Sequence, residues 1–177
     1  MREFNKINGI FYEPIKIIDG ADTRGIIARP PDIDQPGVEF AAPSLTLRVQ
    51  RDSLVKAGQI VRTRGGEHYI LAKHNETADW RTLHMFWCDR QVVWSRPGTT
   101  TDRLTGLKTA GNPTSQGSIY VMWERVRREF TELALRVSQE RHLVATGADV
   151  RIGDTLDNMV VDRVSNSLGV RILELRG

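Results

Sequence analysis

The sequence predicts an all-β protein, a small antiparallel barrel or sandwich built from two related β units. Short apolar segments with alternating hydrophobicity recur along the chain, and glycine-containing turns separate them, as in many barrels and sandwiches. A third observation is an internal repeat, in which an alternating strand, a glycine turn and a second apolar strand occur twice. A repeated β unit is more typical of an assembly scaffold than of a catalytic pocket.

The two copies of the repeat match in three short segments each. The segments of the first copy are 45–49, 55–59 and 69–72. Their counterparts in the second copy are 133–137, 150–154 and 159–162. In both copies the turn contains a glycine followed by a polar residue, Gln59 in the first and Asp154 in the second.

The first unit is expected to span residues 1–95. Polar residues 1–8 predict a loose arm, and apolar alternation predicts the strands that follow, at 10–12, 15–18, 24–29, 44–51, 59–64, 68–73 and 83–94. Gly65-Gly66 lies between two of these strands and predicts a hairpin. The prolines and acids of 30–43 predict a long loop, and loops of this length are often functional.

Residues 96–118 are rich in Gly, Pro, Ser and Thr, which predicts a linker or an extended loop between the units. The second unit, 119–177, is expected to pack on the first as one compact body. Its segment 119–131 is ambiguous, because its apolar residues fit both helical spacing and strand alternation, and a short helix stays open. A turn at 165–167 and an alternating strand at 170–175 predict a closing hairpin.

Composition places the chain among ordinary soluble globular proteins. It has 177 residues, of which 40% are hydrophobic and 27% charged, with a formal net charge of +3. No apolar run approaches the roughly 18 residues of a membrane helix, and the start contains no signal-peptide h-region. We therefore expect no membrane partner. Cys88 is the single cysteine, which excludes an intrachain disulfide and favours synthesis in a reducing cytoplasm.

No pattern in the sequence predicts an enzyme, a cofactor or a metal site. His84, Cys88 and Asp89 are close in sequence, but a zinc site needs about four ligands, usually in two close pairs. The chain contains no phosphate-binding glycine loop and no nucleophile elbow. The pair Asp32 and Asp34 is expected to be a solvated part of an acidic loop.

Two stretches are candidates for contact with nucleic acid. Arg125, Arg127 and Arg128 form the densest basic cluster, which could line a channel for DNA or form a solvated face paired with nearby glutamates. The aromatic stretch 80–94 could stack on single-stranded bases with Arg81 and Arg90, but a core strand with a tryptophan at a subunit contact is the favoured interpretation. The candidate interface or lumen residues are Asp32, Asp34, Glu39, Arg96, Arg103, Lys108, Arg125, Arg127 and Arg128.

A series of short motifs runs through the first half of the chain. It reads Gly-Ile-Ile-Ala-Arg-Pro-Pro-Asp at 25–32, Gly-Val-Glu-Phe at 37–40, Pro-Ser-Leu-Thr-Leu-Arg-Val at 43–49, Leu-Val-Lys-Ala-Gly at 54–58, and Gly-Gly at 65–66 before Tyr-Ile-Leu at 69–71. In this order the motifs resemble the head–tail joining (head completion) proteins of tailed phages of the lambda type. The resemblance covers residues 24–90 and part of 132–176, where 150–155 comes closest to the family's turn. The chain departs from the family in its length, in Gln59 where Asp is usual, and in its second unit.

The resemblance implies a small β-barrel or β-sandwich that assembles into a six- or twelve-fold ring in the phage neck. Such a subunit is made in the host cytoplasm and resides in the virion. Its partners would be a portal or adaptor protein, a tail protein and packaged DNA, touched without reading of sequence. The loop 30–43 and the segment 95–118 are then the candidates for portal-side, tail-side or lumen contacts. A tail terminator or baseplate-hub protein, and a β-barrel module that binds single-stranded nucleic acid, are the alternatives.

Overall fold

The computed structural model describes residues 13–29, 43–132 and 135–176, and along 126–141 it describes the backbone. The described residues form twelve β-strands and no helix, which confirms the predicted all-β class. The predicted arm 1–8, the strand 10–12 and nearly all of the loop 30–43 lie outside the described residues. The open choice at 119–131 is settled in favour of strand, because all of it belongs to one long strand.

The first six strands close into an antiparallel barrel. Around the barrel they run in the order β1-β2-β3-β6-β5-β4, and β4 pairs with β1 to close it. Their bounds are β1 Glu13–Ile17, β2 Thr23–Ala28, β3 Leu45–Gln50, β4 Ile60–Arg62, β5 His68–Glu76 and β6 Trp80–Trp87. The hairpin predicted at Gly65-Gly66 joins β4 to β5, with Gly66 at a φ of +89°.

The last six strands close into a second antiparallel barrel with the order β10-β11-β12-β9-β8-β7. Their bounds are β7 Arg90–Thr101, β8 Lys108–Glu132, β9 Leu135–Thr146, β10 Thr155–Leu156, β11 Met159–Ser167 and β12 Val170–Arg176. Counted from its own first strand, the second barrel has the same strand order as the first. The two related β units of the sequence are therefore two barrels of one topology.

The glycine turn of the first repeat copy is held by a specific set of hydrogen bonds. Gly58 takes a φ of +85°, a conformation that favours glycine. The Lys56 amide donates to the Gln59 side-chain oxygen at 2.7 Å, and the Gly58 amide donates to the Leu71 carbonyl at 2.7 Å. The turn thereby crosses from β3 to β4 while staying bonded to β5.

The second copy makes the same turn with the same bonds. Gly153 has a φ of +88°, and the Arg151 amide donates to a carboxylate oxygen of Asp154 at 3.0 Å. The Gly153 amide donates to the Val161 carbonyl at 2.8 Å. The two turns therefore share the same hydrogen bonds. The turn geometry requires a glycine followed by a side-chain acceptor, which explains why the two copies are most similar in sequence at the turn.

The first segment of the predicted repeat is out of register. Leu45 lies opposite Met85 on β6, and the residue in the equivalent place, opposite Leu175 on β12, is His142. The structural counterpart of 45–49 is therefore 142–146, and the predicted counterpart 133–137 is wrong. Residues 135–137 instead pair with 130–132 of β8, outside the barrel wall.

Apolar residues form three clusters, one inside each barrel and one between the barrels. On β5, Tyr69 and Leu71 point into the first barrel, while Ile70 and Ala72 face the inter-barrel cluster. Alternate residues of one strand thus serve two cores, and four consecutive residues are buried. The inter-barrel cluster comprises Ile70, Ala72, Phe86, Cys88, Ala145, Val170 and Ile172.

Close backbone contacts hold the two barrels at their seam. The Lys73 amide of β5 donates to the Leu168 carbonyl, in the turn between β11 and β12, at 2.7 Å. Gly147 lies so close to Gly58 that a Cβ at position 147 would overlap the Gly58 carbonyl oxygen. The seam therefore depends on small residues as well as on apolar burial.

Three local predictions are corrected by the described strands. Residues 96–118, expected to be a linker or an extended loop, form the end of β7 and the first part of β8 around a short turn. The segment 83–94, expected to close the first unit, contains the end of β6 and the start of β7, so the strands of the first barrel end at Trp87. The turn expected at 165–167 lies at Leu168 and Gly169, which both have positive φ.

Candidate interaction surfaces

The long strand β8 extends beyond the second barrel at both of its ends. It has 25 residues, a length of about 80 Å for an extended chain. It pairs with β7 up to Val121 and with β9 from Met122 onward. The strand β10 pairs with β7 only at 94–95, and β12 pairs with β9 only at 142–146. Beyond these residues, the β7–β8 pair and the β8–β9 pair each continue as a two-stranded ribbon. We name residues 96–114 the first arm, and residues 125–132 and 135–141 the second arm.

The tip of the first arm is an ordered turn built around Asp102. Its backbone amide donates to the Leu107 carbonyl at 2.9 Å, and its carboxylate accepts from the Leu104 amide at 2.8 Å. The Gly106 amide donates to the Asp102 carbonyl at 2.8 Å. The hydrogen bonds from the Leu104 amide and from Thr105 lower the pKa of the Asp102 carboxyl. The tip thus has a defined shape despite its exposure.

The tip presents two leucines and two cations to solvent. Leu104 is 96% exposed and Leu107 is 66% exposed, although both are large and apolar. Arg103 and Lys108, two of the predicted interface residues, flank them and are also exposed. Exposed leucines at the end of a projecting arm are typical of an interaction site.

Arg96, at the base of the first arm, has a structural partner. Its guanidinium donates to both carboxylate oxygens of Asp154 at 3.0 Å, and the Trp94 indole donates to the same carboxylate at 2.9 Å. Burial acts to raise the pKa of the Asp154 carboxyl, but the hydrogen bonds from Arg96, the Arg151 amide and Trp94 outweigh it, so that pKa lies below its usual value. Arg96, predicted as a contact residue, therefore anchors the arm to the repeat turn.

The second arm contains the other three predicted arginines. Arg125 is exposed, and its backbone lies opposite His142. Arg127 and Arg128 lie on the same strand, where their backbones pair with Glu140 and Gln139. The structure thus places the predicted basic cluster on a projecting ribbon.

The base of the second arm is fixed by an indole. The Trp123 indole donates to Nδ1 of His142 at 3.0 Å, and the Arg90 guanidinium lies 4.9 Å from the Trp123 ring centre. The Trp123 amide donates to the Asp89 carboxylate at 2.7 Å. Burial, together with Arg125 and Arg90, lowers the pKa of His142, which favours the neutral imidazole whose Nδ1 accepts this hydrogen bond.

A groove of about 440 Å³ lies at one end of the first barrel, and sequence reasoning did not find it. Its apolar part includes Ile17, Val55 and Leu54, and Leu54 is 74% exposed. Asp22 and Asp52 also line it, and neither makes an ion pair with another described residue. We name it the acidic groove; Arg24 is its one cation among the described lining residues.

A cleft of about 580 Å³ opens at the seam between the barrels, beside a buried histidine. The imidazole of His84 is fully buried, and its two nitrogens have no hydrogen-bond partner among the described residues. Its ring lies 4.1 Å from that of His74, which lines the cleft with Lys56 and Lys73. Burial, followed by the charge of His74, lowers the pKa of His84 to about 4.

Most of the aromatic stretch 80–94 serves the fold, as the favoured interpretation expects. Phe86 belongs to the inter-barrel cluster, and Trp94 bonds to Asp154. Trp80 packs under the Arg48 guanidinium at 4.6 Å, whereas Trp87 is 51% exposed.

The predicted acids Asp32, Asp34 and Glu39 lie outside the described residues. Across the described ranges, no group of three or more His, Cys, Asp or Glu side chains is placed to hold a metal ion. A search of the same ranges for a helix long and apolar enough to cross a membrane found none. No family model matches the sequence, and comparisons with curated proteins and with solved structures returned no significant match.

Proposed function

We propose that this chain is a structural subunit of a tailed-phage neck, a ring protein that completes the filled head and joins the portal to the tail. DNA would pass through the ring. The proposal rests on the motif resemblance at 24–90 together with the architecture of the molecule.

The observation that carries the proposal is the first arm of the second barrel. Two-stranded ribbons are marginally stable in isolation, and their outer edges carry backbone groups able to pair with another chain. The exposed leucines at the tip of this arm, Leu104 and Leu107, are suited to burial against a partner. A ring subunit that also binds proteins above and below needs contact elements that project from its body.

The basic residues of the second arm fit a ring whose lumen admits DNA. Arg125, Arg127 and Arg128 follow one another on β8 at the far end from the first arm. Arginines that face phosphate bind nucleic acid without sequence preference and in a salt-dependent manner. In the proposed ring, the second arm faces the lumen and the first arm makes the protein contacts.

The test is the native mass of the purified chain, alone and mixed with its candidate portal protein. We expect six or twelve copies of the 20.0 kDa chain, either alone or once the portal is added. A monomer that stays a monomer with the portal present contradicts the proposal. Copy number in the particle then separates a neck ring from a tail terminator or a baseplate-hub protein.

A further inference from the structure

We propose that the tip of the first arm of one subunit docks into the acidic groove of a second copy of this chain. The two surfaces lie on different barrels: the tip is the turn between β7 and β8, and the groove belongs to β1, β2, β3 and the turns beside them. The inference rests on the proposed function for the closure of a ring, while the contact itself can be tested without any other protein.

The apolar parts of the two surfaces match in character. Leu104 is the most exposed large apolar side chain of the described residues, at 96%, and Leu54 in the groove follows at 74%. Ile17 and Val55 also line the groove but are buried in the core of the first barrel, so the large apolar side chain that the groove exposes is that of Leu54. Placing the leucines of the tip against the exposed side chain of Leu54 removes apolar surface from water on both subunits, which is favourable.

The charges of the two surfaces are opposite. The tip carries Arg103 and Lys108, and the carboxylate of Asp102 is already occupied by bonds within the turn. The groove carries Asp22 and Asp52 against one cation, Arg24, and the two carboxylates make no ion pair with another described residue. Complementary charge of this kind steers encounter and sets the register of a contact, and it disfavours tip-to-tip pairing.

The contact would join two different patches, so each subunit would use its tip on one neighbour and its groove on the other. A head-to-tail contact of this type forms a closed ring when the rotation between subunits closes and a filament when it does not. The ordered turn at the tip lowers the cost of binding, because its hydrogen bonds already hold the leucines outward.

A cross-linking experiment tests which surfaces meet. Leu104→Cys and Leu54→Cys are made in separate chains, mixed, and treated with a short bismaleimide. Cys88 does not compete, because it is buried and burial raises the pKa of its thiol to about 12. The control replaces L54C by I152C, since Ile152 is 67% exposed but lies outside the groove. We expect at least about tenfold more cross-linked dimer from L104C with L54C than from the control pair.

Charge reversal provides a second, independent readout. The variant R103E/K108E and the variant D22K/D52K should each weaken self-association at least about tenfold, and an equimolar mixture should recover it, because each variant then meets a complementary partner. All four positions are exposed, so both variants should keep the wild-type melting temperature.

The outcomes separate the contact from the proposed function. A six- or twelve-fold assembly that survives both charge reversals, with equal cross-linking of the two cysteine pairs, overturns the docking of tip into groove and leaves the ring standing. A monomer under all conditions, with no preferential cross-link and no response to the portal, overturns both. Preferential cross-linking together with recovery in the mixture supports the docking whether or not a ring closes.

Discussion

At the scale of single residues, the difference between Gln59 and Asp154 gives the second copy of the repeat turn a role that the first copy lacks. Asp154 and Gln59 occupy the same place in equivalent turns, and each accepts the backbone amide three residues before it. Asp154 also accepts from Arg96 and from the Trp94 indole, and its side chain is only 2% exposed. The second copy thereby ties its turn to the base of the first arm.

We predict that Asp154→Ala lowers the free energy of unfolding by about 3 kcal/mol, since it leaves Arg96 and the Trp94 indole without their acceptor. The matched control is Gln59→Ala, which removes one hydrogen bond at a partly exposed site and should cost about 1 kcal/mol. Urea unfolding of both variants measures the difference. Equal losses would show that the added partners of Asp154 contribute nothing to stability.

His84 predicts a pH dependence of stability. An unfolded histidine has a pKa near 6.5, whereas burial holds the pKa of His84 in the folded chain at about 4. Between these values the unfolded chain takes up a proton that the folded chain does not, so stability falls as pH decreases from 6.5 to 4 and this contribution then levels off.

His84→Leu should remove this part of the pH dependence. Its free energy of unfolding should decline less than that of the wild type over this interval, by on the order of 3 kcal/mol. His74→Gln is the matched control and should keep most of the slope, because burial of His84 is the larger cause. Denaturant unfolding at several pH values provides the test, and parallel profiles for wild type and H84L would contradict it.

At the scale of elements, the seam between the barrels depends on glycine. Gly147→Ala should destabilise the protein by about 2 kcal/mol or more, because its Cβ would overlap a backbone oxygen of Gly58 and the barrels would have to move apart. Gly65→Ala is the control: its Cβ would meet only side-chain atoms at 3.8 Å or beyond. Thermal unfolding should separate the two variants, and equal melting temperatures would mean that the seam accommodates the methyl group.

The first arm should be dispensable for folding. The pairing of β10 with β7 ends at Ser95, and Thr99 pairs with Ala110 further along the ribbon. Replacing 99–110 by Asn-Gly would therefore leave both barrels intact. We expect a cooperative thermal transition within a few degrees of the wild type, together with loss of self-association. A shortened chain that fails to fold would show that the ribbon stabilises the barrel.

At the scale of the whole molecule, docking between an apolar, basic tip and an apolar, acidic groove predicts a moderate effect of salt. Raising the salt from about 0.1 M to about 1 M should weaken self-association, since exposed charges are screened, without abolishing it, since the leucines stay apolar. Sedimentation at several protein concentrations measures this. An association that strengthens steadily with salt would indicate that apolar contact alone holds the subunits.

The sequence by itself determined the β class, the duplication and the turn chemistry of this protein. Alternation and glycine turns are local properties, so the Gly58 and Gly153 turns and the hairpin at Gly65-Gly66 could be found from spacing alone. The counterpart of 45–49 could not, because strand register is set by partners distant in the chain, and 142–146 bears no resemblance to it.

Only the tertiary structure decided that 96–114 is an arm, that Arg96 serves as its anchor and that an acidic groove exists. Residues rich in Gly, Pro and Thr suit a loop equally well, and here pairing with β7 makes them strand. The groove brings together two segments that are distant in the chain, 17–24 and 50–55, which carry no common motif. Such a surface forms only when the barrel closes, so residue spacing along the chain does not predict it.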